Sequence, residues 1–575
     1  MNNRTRSYFK VVLSLLLTAA ILSGCGGQSA GSGSSAASSS TVQSQVAGGA
    51  TESAAVEDGP FTKYPEPITV TMVKESIFND DDYRWGVLGQ GESVEENRWI
   101  QLFRDELNIN VVYDWVADEA TYKQKCKLSI SAGAMPDFMR LRAIGRDSML
   151  GDAMQLMDAG QIIGINDLWD KYASPQTLQY AMDDGGLRMM AITHNGNMVG
   201  VPMPTAGIGN NLYFWLRTDW MEKLGLQPPK TMDEYVEYMR AVVDSGIGEN
   251  NRTYGMLLDK TYQEHLDGFF WCFGAYPRSW VQDADGSLVY GLNNPAMIDG
   301  LKLLRQFYAD GWIDPEAFTK DWEKAREVIV AGQCASVIGF HWLSVIGLND
   351  NKTNFPDAEW QVFDLPTATG SPVKGRMELG LRGVFVVNKD SQHPEAIIKM
   401  MNLYNDVVFG ENPKDGFFTD VGSDGQTYNT WLMGPIDSLF EEADIAPTRA
   451  IQPALRGEMD PNTLTGLAKN YWDICQQDWG YMTMFGPQNS PGLVMIKQFE
   501  NMDTLLQKDY FVGAPTETMV EQWSQLEDLR NSTCIRIITG ELDPEQGYYD
   551  MIDAWKKLGG DQITKEVNEW YDNVK

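Results

Sequence analysis

Apolar residues in the first part of the chain follow two different spacings. Short β-rich runs lie at 68–73, 110–116 and 137–141, which favours three strands. Between them, apolar residues recur at helical spacing over 99–107, and a second helical stretch follows over 122–131. This strand–helix–strand–helix–strand order predicts an α/β fold with a mostly parallel sheet that helices cover.

Later segments predict further elements of both kinds. Apolar stripes over 297–308 and 397–404, each of which follows a proline, predict helices whose buried faces belong to the core. A strand-like run over 335–341 ends directly before Trp342. The segment 283–287 predicts a β-turn rather than a calcium loop, because no residue completes a twelve-residue EF-hand there.

The N-terminal residues have the composition of an export signal. Three cations precede an apolar run over 11–22, which is too short to span a bilayer comfortably. The run ends in Leu-Ser-Gly-Cys25, which resembles a bacterial lipobox. We therefore predict a signal peptide over 1–24 and lipidation of Cys25. A non-cleaved anchor or a plain secretory signal is the alternative.

The residues after Cys25 predict a flexible tether. Gly, Ser and Ala dominate 26–59, and this segment contains no aromatic residue that could start a core. No segment outside the signal approaches roughly 18 uncharged apolar residues, which argues against a transmembrane domain.

Length and charge restrict the remaining part of the chain. A chain of 575 residues is too long for one hydrophobic core, so two sizeable lobes are expected. The 79 Asp and Glu outnumber the 46 Lys and Arg, which gives a formal net charge of −33. The cations of the signal and the acids of the tether cancel, so the acidity belongs to the body. Such a field repels phosphate backbones and anionic lipids, which argues against nucleic-acid binding and a basic membrane-binding patch.

A search for catalytic chemistry finds little in this sequence. The chain has four His, and it lacks HExxH, Walker A and GxSxG motifs and any GxGxxG in a dinucleotide-binding context. Carboxylates are too abundant for any one pair to indicate a glycosidase. We therefore expect that the protein is not an enzyme.

The cysteines other than Cys25 predict buried apolar positions. They form no CxxC pair and their number is odd, which disfavours a disulfide framework and a zinc site. These residues are Cys126, Cys272, Cys334, Cys475 and Cys534.

Several phrases, taken in their order and spacing, resemble extracellular solute-binding protein family 1. The resemblance is to the lipoprotein subgroup that feeds carbohydrate ABC importers in Gram-positive bacteria. Each phrase alone is weak, but together they cover about residues 66–575, and the lipobox and tether fit the same family. The phrases lie at 131–137, 200–203, 216–226, 229–234, 286–291, 304–314, 537–540, 558–560 and 566–571.

The resemblance implies two α/β lobes joined by a hinge, which close on a ligand as a periplasmic-binding-protein-like (Venus-flytrap) clamp. It also implies that the chain crosses between the lobes near 202–207 and again near 375–379. The expected segments are a signal peptide (1–24), Cys25 with its linker (25–59), the first lobe (60–203), the second lobe (204–377), a return to the first lobe (378–450), and the second lobe with C-terminal helices (451–575).

The resemblance also raises the question of calcium. Many members of the family carry an acidic calcium-binding loop after the helix that here ends near Val243. The segment 244–252 lacks the alternating aspartates of that loop, although Asp244 and Glu249 leave some room for an ion. We expect no cofactor and no metal.

A cleft that holds a sugar needs aromatic rings against the C–H face and charged or amide side chains around the hydroxyl rim. In this fold such residues lie at the carboxyl ends of strands and in the loops that follow. Trp342 is the strongest candidate for a ligand contact. For Arg217, a structural ion pair and a ligand contact are equally favoured. Lys74 and Arg140 rank below the other candidates and are not included. The candidate ligand contacts are Trp342, Trp271, Trp280, Trp85, Glu75, Arg142, Arg217 and Arg382.

The leading hypothesis is a lipid-anchored, non-enzymatic binding component of an ABC importer at the extracellular face of the cell membrane. It would capture an oligosaccharide between its lobes and deliver it to membrane permease subunits. Arginines at the cleft of an acidic body would suit a uronate-containing oligosaccharide. The alternatives are a surface glycoside hydrolase or lyase, and a peptide-binding lipoprotein or sensor partner. We expect a monomer that binds no nucleic acid and reaches the membrane only through its lipid.

Overall fold

A computed structural model of the chain describes residues 58–76, 92–143, 148–260, 263–410, 413–421 and 427–574. Residues 57–575 form one contact unit, and both hydrophobic clusters of the protein lie within it. This unit therefore contains its own core.

Seventeen strands lie in the described part of the chain. They are β1 (Ile68–Ser76), β2 (Ile109–Asp118), β3 (Phe138–Arg142), β4 (Thr193–His194), β5 (Asn197–Met198), β6 (Val201–Pro204), β7 (Tyr213–Arg217), β8 (Tyr254–Met256), β9 (Trp280–Gln282), β10 (Leu288–Tyr290), β11 (Cys334–Gly339), β12 (Trp360–Phe363), β13 (Gly375–Met377), β14 (Leu381–Val387), β15 (Asp420–Val421), β16 (Thr427–Tyr428) and β17 (Leu506–Lys508).

Twenty-one α-helices accompany these strands in the described residues. They are α1 (Arg98–Leu107), α2 (Glu119–Ser131), α3 (Leu150–Asp158), α4 (Asn166–Tyr172), α5 (Pro175–Met182), α6 (Leu187–Ala191), α7 (Thr218–Leu224), α8 (Met232–Ser245), α9 (Gln263–Trp271), α10 (Met297–Ala309), α11 (Trp322–Val330), α12 (Leu348–Asn354), α13 (Ala396–Phe409), α14 (Glu442–Leu455), α15 (Gly466–Gln477), α16 (Trp479–Phe485), α17 (Pro491–Glu500), α18 (Met502–Leu505), α19 (Glu517–Ile538), α20 (Pro544–Trp555) and α21 (Asp561–Val574).

The first lobe is built on a five-stranded sheet of order β2-β1-β3-β14-β6. β1 is parallel to β2 and β3, while β14 runs antiparallel between β3 and β6. The predicted strand–helix order at the start of the chain is therefore confirmed. Local chemistry starts the first helix, because the Asn97 side chain accepts hydrogen bonds from the backbone N–H groups of Trp99 and Ile100.

The second lobe is built on a four-stranded sheet of order β12-β7-β11-β8. β7 runs antiparallel to both β11 and β12, and β8 is parallel to β11. All residues of β7 and β11 are buried, as expected for strands that are covered on both faces.

Two connections join the two sheets. The chain leaves β6 at Pro204 and enters β7 at Tyr213, then leaves β12 at Phe363 and enters β14 at Leu381. On the way back it forms β13, which pairs in parallel with β17. Two α/β lobes joined in this way form the clamp fold that the resemblance predicts.

The helices after β14 contact both lobes. α15 packs on α13 of the first lobe, while α16 packs on the short helix His341–Ser344 beside the second sheet. Among the described helices after β14, it is α19, α20 and α21 that contribute buried residues to the second cluster. The lobe boundaries predicted from the sequence stay a prediction. α15 packs on the first lobe and α16 packs beside the second sheet, so these two helices lie between the lobes.

The second sheet lies between two hydrophobic clusters. Tyr213 and Trp215 of β7 pack into the cluster that contains the first sheet. Phe214 and Leu216 point the other way, into a cluster with the C-terminal helices. Successive side chains of a strand alternate between faces, so one strand contributes to both cores.

Two further features bear on the sequence predictions. Among the described residues, no helix combines the length and apolar character needed to cross a bilayer. The five cysteines of the described residues are all buried and no disulfide links them, as the sequence predicts for small apolar residues.

Replacing Trp99 with alanine tests the first core. The Trp99 ring is fully buried, its Nε1 donates a hydrogen bond to the Thr430 carbonyl, and it stacks on Tyr404 with 4.9 Å between ring centroids. We expect Trp99→Ala to lower the free energy of unfolding of residues 57–575 by about 3–5 kcal/mol in urea titrations. Trp342→Ala, at a half-buried ring, is the matched control and is expected to cost about 1 kcal/mol. Equal losses in the free energy of unfolding for the two variants would contradict the assignment of Trp99 to the core.

Candidate ligand-binding site

Four cationic side chains meet at one edge of the first sheet. Lys74 lies near the end of β1, Arg140 and Arg142 lie at the end of β3, and Arg382 lies at the start of β14. These positions share an edge because β1 and β3 are parallel neighbours and β14 is antiparallel to β3. We define the charge cluster as Lys74, Glu75, Arg140, Arg142, Arg382 and Asp437.

The two carboxylates of the charge cluster pair with three of its cations. Glu75 forms an ion pair with Arg142, and its Oε2 lies 3.4 Å from Nη1 of Arg140. Oδ2 of Asp437 lies 3.2 Å from Nη1 of Arg140 and 3.4 Å from Nη2 of Arg382. Within the described residues of this cluster, cations outnumber carboxylates.

Burial lowers the pKa of the Lys74 ammonium toward neutral pH. Lys74 is 2% exposed and donates hydrogen bonds to the backbone carbonyls of Leu432 and Gly434. Burial lowers the pKa of Lys74 to about 8; Asp437 opposes this shift and the nearby Arg140 adds to it.

Asp437 stays charged although it is fully buried. Burial alone raises the pKa of Asp437, but Arg140, Arg382 and Lys74 outweigh that effect and hold it below its ordinary value. Oδ1 of Asp437 and Nε of Arg140 have no hydrogen-bond partner among the described residues. Such unsatisfied buried polar atoms are rare in native proteins, so the charge cluster retains capacity to bind polar groups.

Arg382 is the most accessible cation of the charge cluster. Its side chain is 25% exposed, compared with 6% for Arg140 and 11% for Arg142. The Arg382 guanidinium lies 5.5 Å from the centroid of the Trp431 ring, within the range of a cation–π contact. A cation and an indole ring are thus side by side at the sheet edge.

A second group of aromatic rings follows β11 in the second lobe. Trp342 is half-buried and stacks on Phe340, with 5.1 Å between ring centroids and 19° between the planes. Trp322 meets Trp342 edge-on at 6.4 Å. We call Trp322, Phe340 and Trp342 the aromatic platform. A partly exposed flat apolar surface of this kind suits the C–H face of a sugar ring.

Two predicted tryptophans occupy the core of the second lobe instead. Trp271 and Trp280 are each 3% exposed. Trp271 stacks on Tyr276, and Trp280 packs against Tyr290 and Phe511. In this structure their rings are covered by other side chains of the protein.

Arg217 forms a structural ion pair in this structure. It is 4% exposed, and its guanidinium forms two hydrogen bonds of 2.8 and 2.9 Å to the Asp219 carboxylate. Its carbon Cζ also lies 4.3 Å from the Trp220 ring centroid and 5.4 Å from that of Trp360. These contacts are those of a structural ion pair, the first of the two roles considered for Arg217 from the sequence.

The structure thus brings Glu75, Arg142 and Arg382 together. Four other candidates have the different contacts described above, namely Trp271, Trp280, Trp342 and Arg217. Trp85 and Cys25 lie outside the described residues. Sequence reasoning ranked Lys74 and Arg140 too low for inclusion and missed Asp437 and Trp431 altogether. The strand-end rule applies equally to Lys74 and Arg140, so the sequence did contain a signal for them. Trp431 lies in the short 3-10 helix Thr430–Leu432 and Asp437 lies in irregular chain, both after α13, where that rule does not apply.

Comparison with known proteins identifies the family. The sequence model of the bacterial extracellular solute-binding proteins matches residues 92–406, more than half of the chain. The chain belongs to this family. The resemblance seen in the sequence is therefore confirmed.

This solute-binding protein is similar to three curated proteins. It is 28% identical over 241 residues to the fructooligosaccharide ABC transporter substrate-binding protein FusA of Streptococcus pneumoniae. The matched residues cover 40% of this chain but only 44% of FusA. It is 22% identical to lipoprotein LipO of Bacillus subtilis over 63% of this chain and 68% of LipO. It is 20% identical to the polygalacturonan/rhamnogalacturonan-binding protein YtcQ of Bacillus subtilis, over 85% of this chain and 91% of YtcQ.

Solved structures share its fold. An HMO-binding, ABC-transporter-associated solute-binding protein from Bifidobacterium longum infantis superimposes with a TM-score of 0.61 at 15% identity. The match covers 88% of this chain and 99% of that chain.

The segment considered for calcium is an ordinary helix end. α8 ends at Ser245, Gly246 follows in a left-handed conformation, and Asp244 and Glu249 are both exposed. In the parts of the chain that the structure describes, no group of three or more His, Cys, Asp or Glu side chains could hold a metal ion. That the solute-binding protein takes no metal stays a prediction.

Proposed function

We propose that this chain is the substrate-binding component of an ABC importer and that it captures a uronate-containing oligosaccharide between its two lobes. The observation that carries the proposal is the charge cluster, in which cations outnumber carboxylates inside a protein of net charge −33. A local excess of buried cations favours an anionic ligand, because each charge is poorly screened at a protein–ligand interface.

Arginine is well suited to bind a uronate. Its planar guanidinium binds a carboxylate through two parallel hydrogen bonds. Arg382 is partly exposed, so a uronate could place its carboxylate on the guanidinium. The similarity to YtcQ, whose name describes a binder of polygalacturonan and rhamnogalacturonan, supports the same ligand class.

The aromatic platform of the second lobe supplies a different kind of contact. Stacking on Trp342 is independent of ligand charge and adds affinity for the ring faces of any sugar. The two lobes therefore divide recognition: the first selects charge and the second binds the apolar faces. Closure of the lobes would bring both to one ligand, and the ligand drives closure by binding the closed state more tightly.

We further propose delivery to membrane permease subunits by a lipid-anchored monomer outside the cell. The similarity to FusA and to lipoprotein LipO supports transport and anchoring through Cys25. The chemistry of the charge cluster favours binding over hydrolysis. A glycosidase needs a carboxylic acid with a raised pKa, whereas the pKa of Asp437 is lowered and Glu75 is ion-paired with two arginines.

Calorimetric titration tests the ligand class. Residues 57–575 are titrated with trigalacturonate and with two neutral trisaccharides, kestose and maltotriose. We expect trigalacturonate to bind at least about tenfold more tightly, because its carboxylates can form charge-assisted hydrogen bonds with the partly exposed guanidinium of Arg382. Shortening of the trisaccharide during the titration would indicate hydrolysis instead. Equal affinity for charged and neutral sugars would contradict a uronate ligand.

Substitution of Arg382 separates charge from stacking. Arg382→Gln removes the accessible cation of the charge cluster, and we expect it to weaken trigalacturonate binding about 10- to 100-fold. Binding of any neutral sugar is expected to change little. Arg252→Gln, at an exposed arginine of the second lobe, is the matched control. The assignment fails if both variants bind trigalacturonate like the unmodified protein.

Lys74 makes uronate affinity dependent on pH. The pKa of Lys74 is lowered to about 8 in the free protein. The side chain is therefore positively charged below pH 7, and it loses this charge as the pH rises through 8. An anionic ligand favours the charged form, so its affinity is highest at low pH and falls above pH 8. If the ligand raises this pKa by one unit, the full loss is about tenfold. Titrations from pH 6 to 10 are expected to show this fall, and Lys74→Met is expected to abolish it. A fall that persists in Lys74→Met would assign the effect to another group.

A further inference from the structure

Two of the segments that connect the lobes touch each other backbone to backbone. The Thr205 N–H donates a 2.9 Å hydrogen bond to the carbonyl of Gly380. A Cβ atom at Gly380 would lie 2.5 Å from the Thr205 carbonyl oxygen, and one at Gly207 would lie 2.7 Å from that of Glu378. Both glycines are therefore needed for the close approach of the two segments.

One buried guanidinium binds both connecting segments at this contact. Arg188 is 0% exposed and is held at the start of α6 in the first lobe. Its Nε donates to the carbonyl of Gly380, and its Nη2 lies 3.3 Å from the carbonyl oxygen of Thr205. A single side chain of the first lobe thus joins the outgoing and the returning segment.

A buried carboxylate holds the outgoing segment from the other side. Oε1 of Glu441 accepts a 2.8 Å hydrogen bond from the Gly207 N–H, and Oε2 accepts one of 2.9 Å from the Ile208 N–H. Oε1 also lies 3.2 Å from Nη2 of Arg188. Glu441 is 1% exposed, so water does not compete for these bonds.

Two aspartates fix this pair to the first lobe. Arg188 forms an ion pair with Asp183, whose Oδ2 accepts a 3.0 Å hydrogen bond from the Glu441 N–H. Asp184 accepts a 2.8 Å hydrogen bond from the Arg188 N–H. We call Arg188, Glu441, Asp183 and Asp184 the hinge clamp.

We propose that the hinge clamp is the fixed side of the hinge. It holds residues 205–208 and 378–380 to the first lobe, so that rotation of the second lobe takes place beyond Ile208 and before Glu378. This inference rests on the closure of the lobes that the proposed function requires. The role of the four side chains is to position the lobes; they do not contact the ligand. Because the bonds are buried and directional, losing one allows orientations of the second lobe from which closure is unproductive.

Distances between spin labels on the two lobes test the hinge clamp. Labels are attached at Leu128→Cys on α2 and Glu237→Cys on α8, both exposed positions, while the five native cysteines of residues 57–575 are buried. Double electron–electron resonance gives the distance distribution with and without trigalacturonate. Glu441→Gln keeps the shape of the side chain but replaces one acceptor oxygen with a donor, which leaves the N–H of Gly207 or Ile208 unpaired.

We expect Glu441→Gln to broaden the ligand-free distance distribution and to weaken trigalacturonate binding about five- to tenfold. Glu442→Gln is the matched control, since Glu442 is adjacent but pairs with Arg449 at 3.6 Å outside the clamp. Arg188→Met is a second, stronger variant, and circular dichroism monitors its folding. Distributions and affinities of Glu441→Gln that match those of Glu442→Gln would overturn the proposal. If trigalacturonate fails to close the unmodified protein, the proposed function fails, and the ligand-free distributions still decide the role of the clamp.

Discussion

Buried cations at the edge of the first sheet are the constraint on which the rest of this account depends. Removing a guanidinium from water is costly unless carboxylates and hydrogen bonds replace the lost solvation. Glu75 and Asp437 provide carboxylates for Arg140, Arg142 and Arg382. This group of four cations and two carboxylates, in an otherwise acidic protein, is the basis on which we propose an anionic ligand.

At the connections between the lobes, carboxylates outnumber cations. In the hinge clamp three carboxylates surround the single guanidinium of Arg188, and they bind backbone N–H groups as well as the cation. The first lobe therefore carries a cation-rich group at its sheet edge and a carboxylate-rich group at its hinge. Ion pairs fix the side chains of both groups, so each group has a defined geometry against which the second lobe can move.

The sequence predicted the parts of the fold that depend on local pattern. The first three strands and the helices between them follow from apolar spacing over about ten residues each. The insertion of β14 between β3 and β6 does not, because Gly383 pairs with Arg142 across more than two hundred residues of chain. That pairing completes the charge cluster, and no local spacing reveals it.

The site shows the same division between local and distant information. Glu75, Arg142 and Arg382 were predicted because strand ends are recognisable in sequence. Asp437 lies in irregular chain whose position depends on tertiary packing, so its role was invisible. Trp280 occupies a strand end but is covered by Phe511 from a segment far along the chain, and such coverage cannot be read from spacing.

A crystal structure of residues 57–575 with trigalacturonate tests the central claim most directly. The account predicts a uronate carboxylate within about 3 Å of the Arg382 guanidinium, with the sugar bound between the lobes. A bound ligand whose carboxylates all point to solvent, with no contact to the charge cluster, would contradict it.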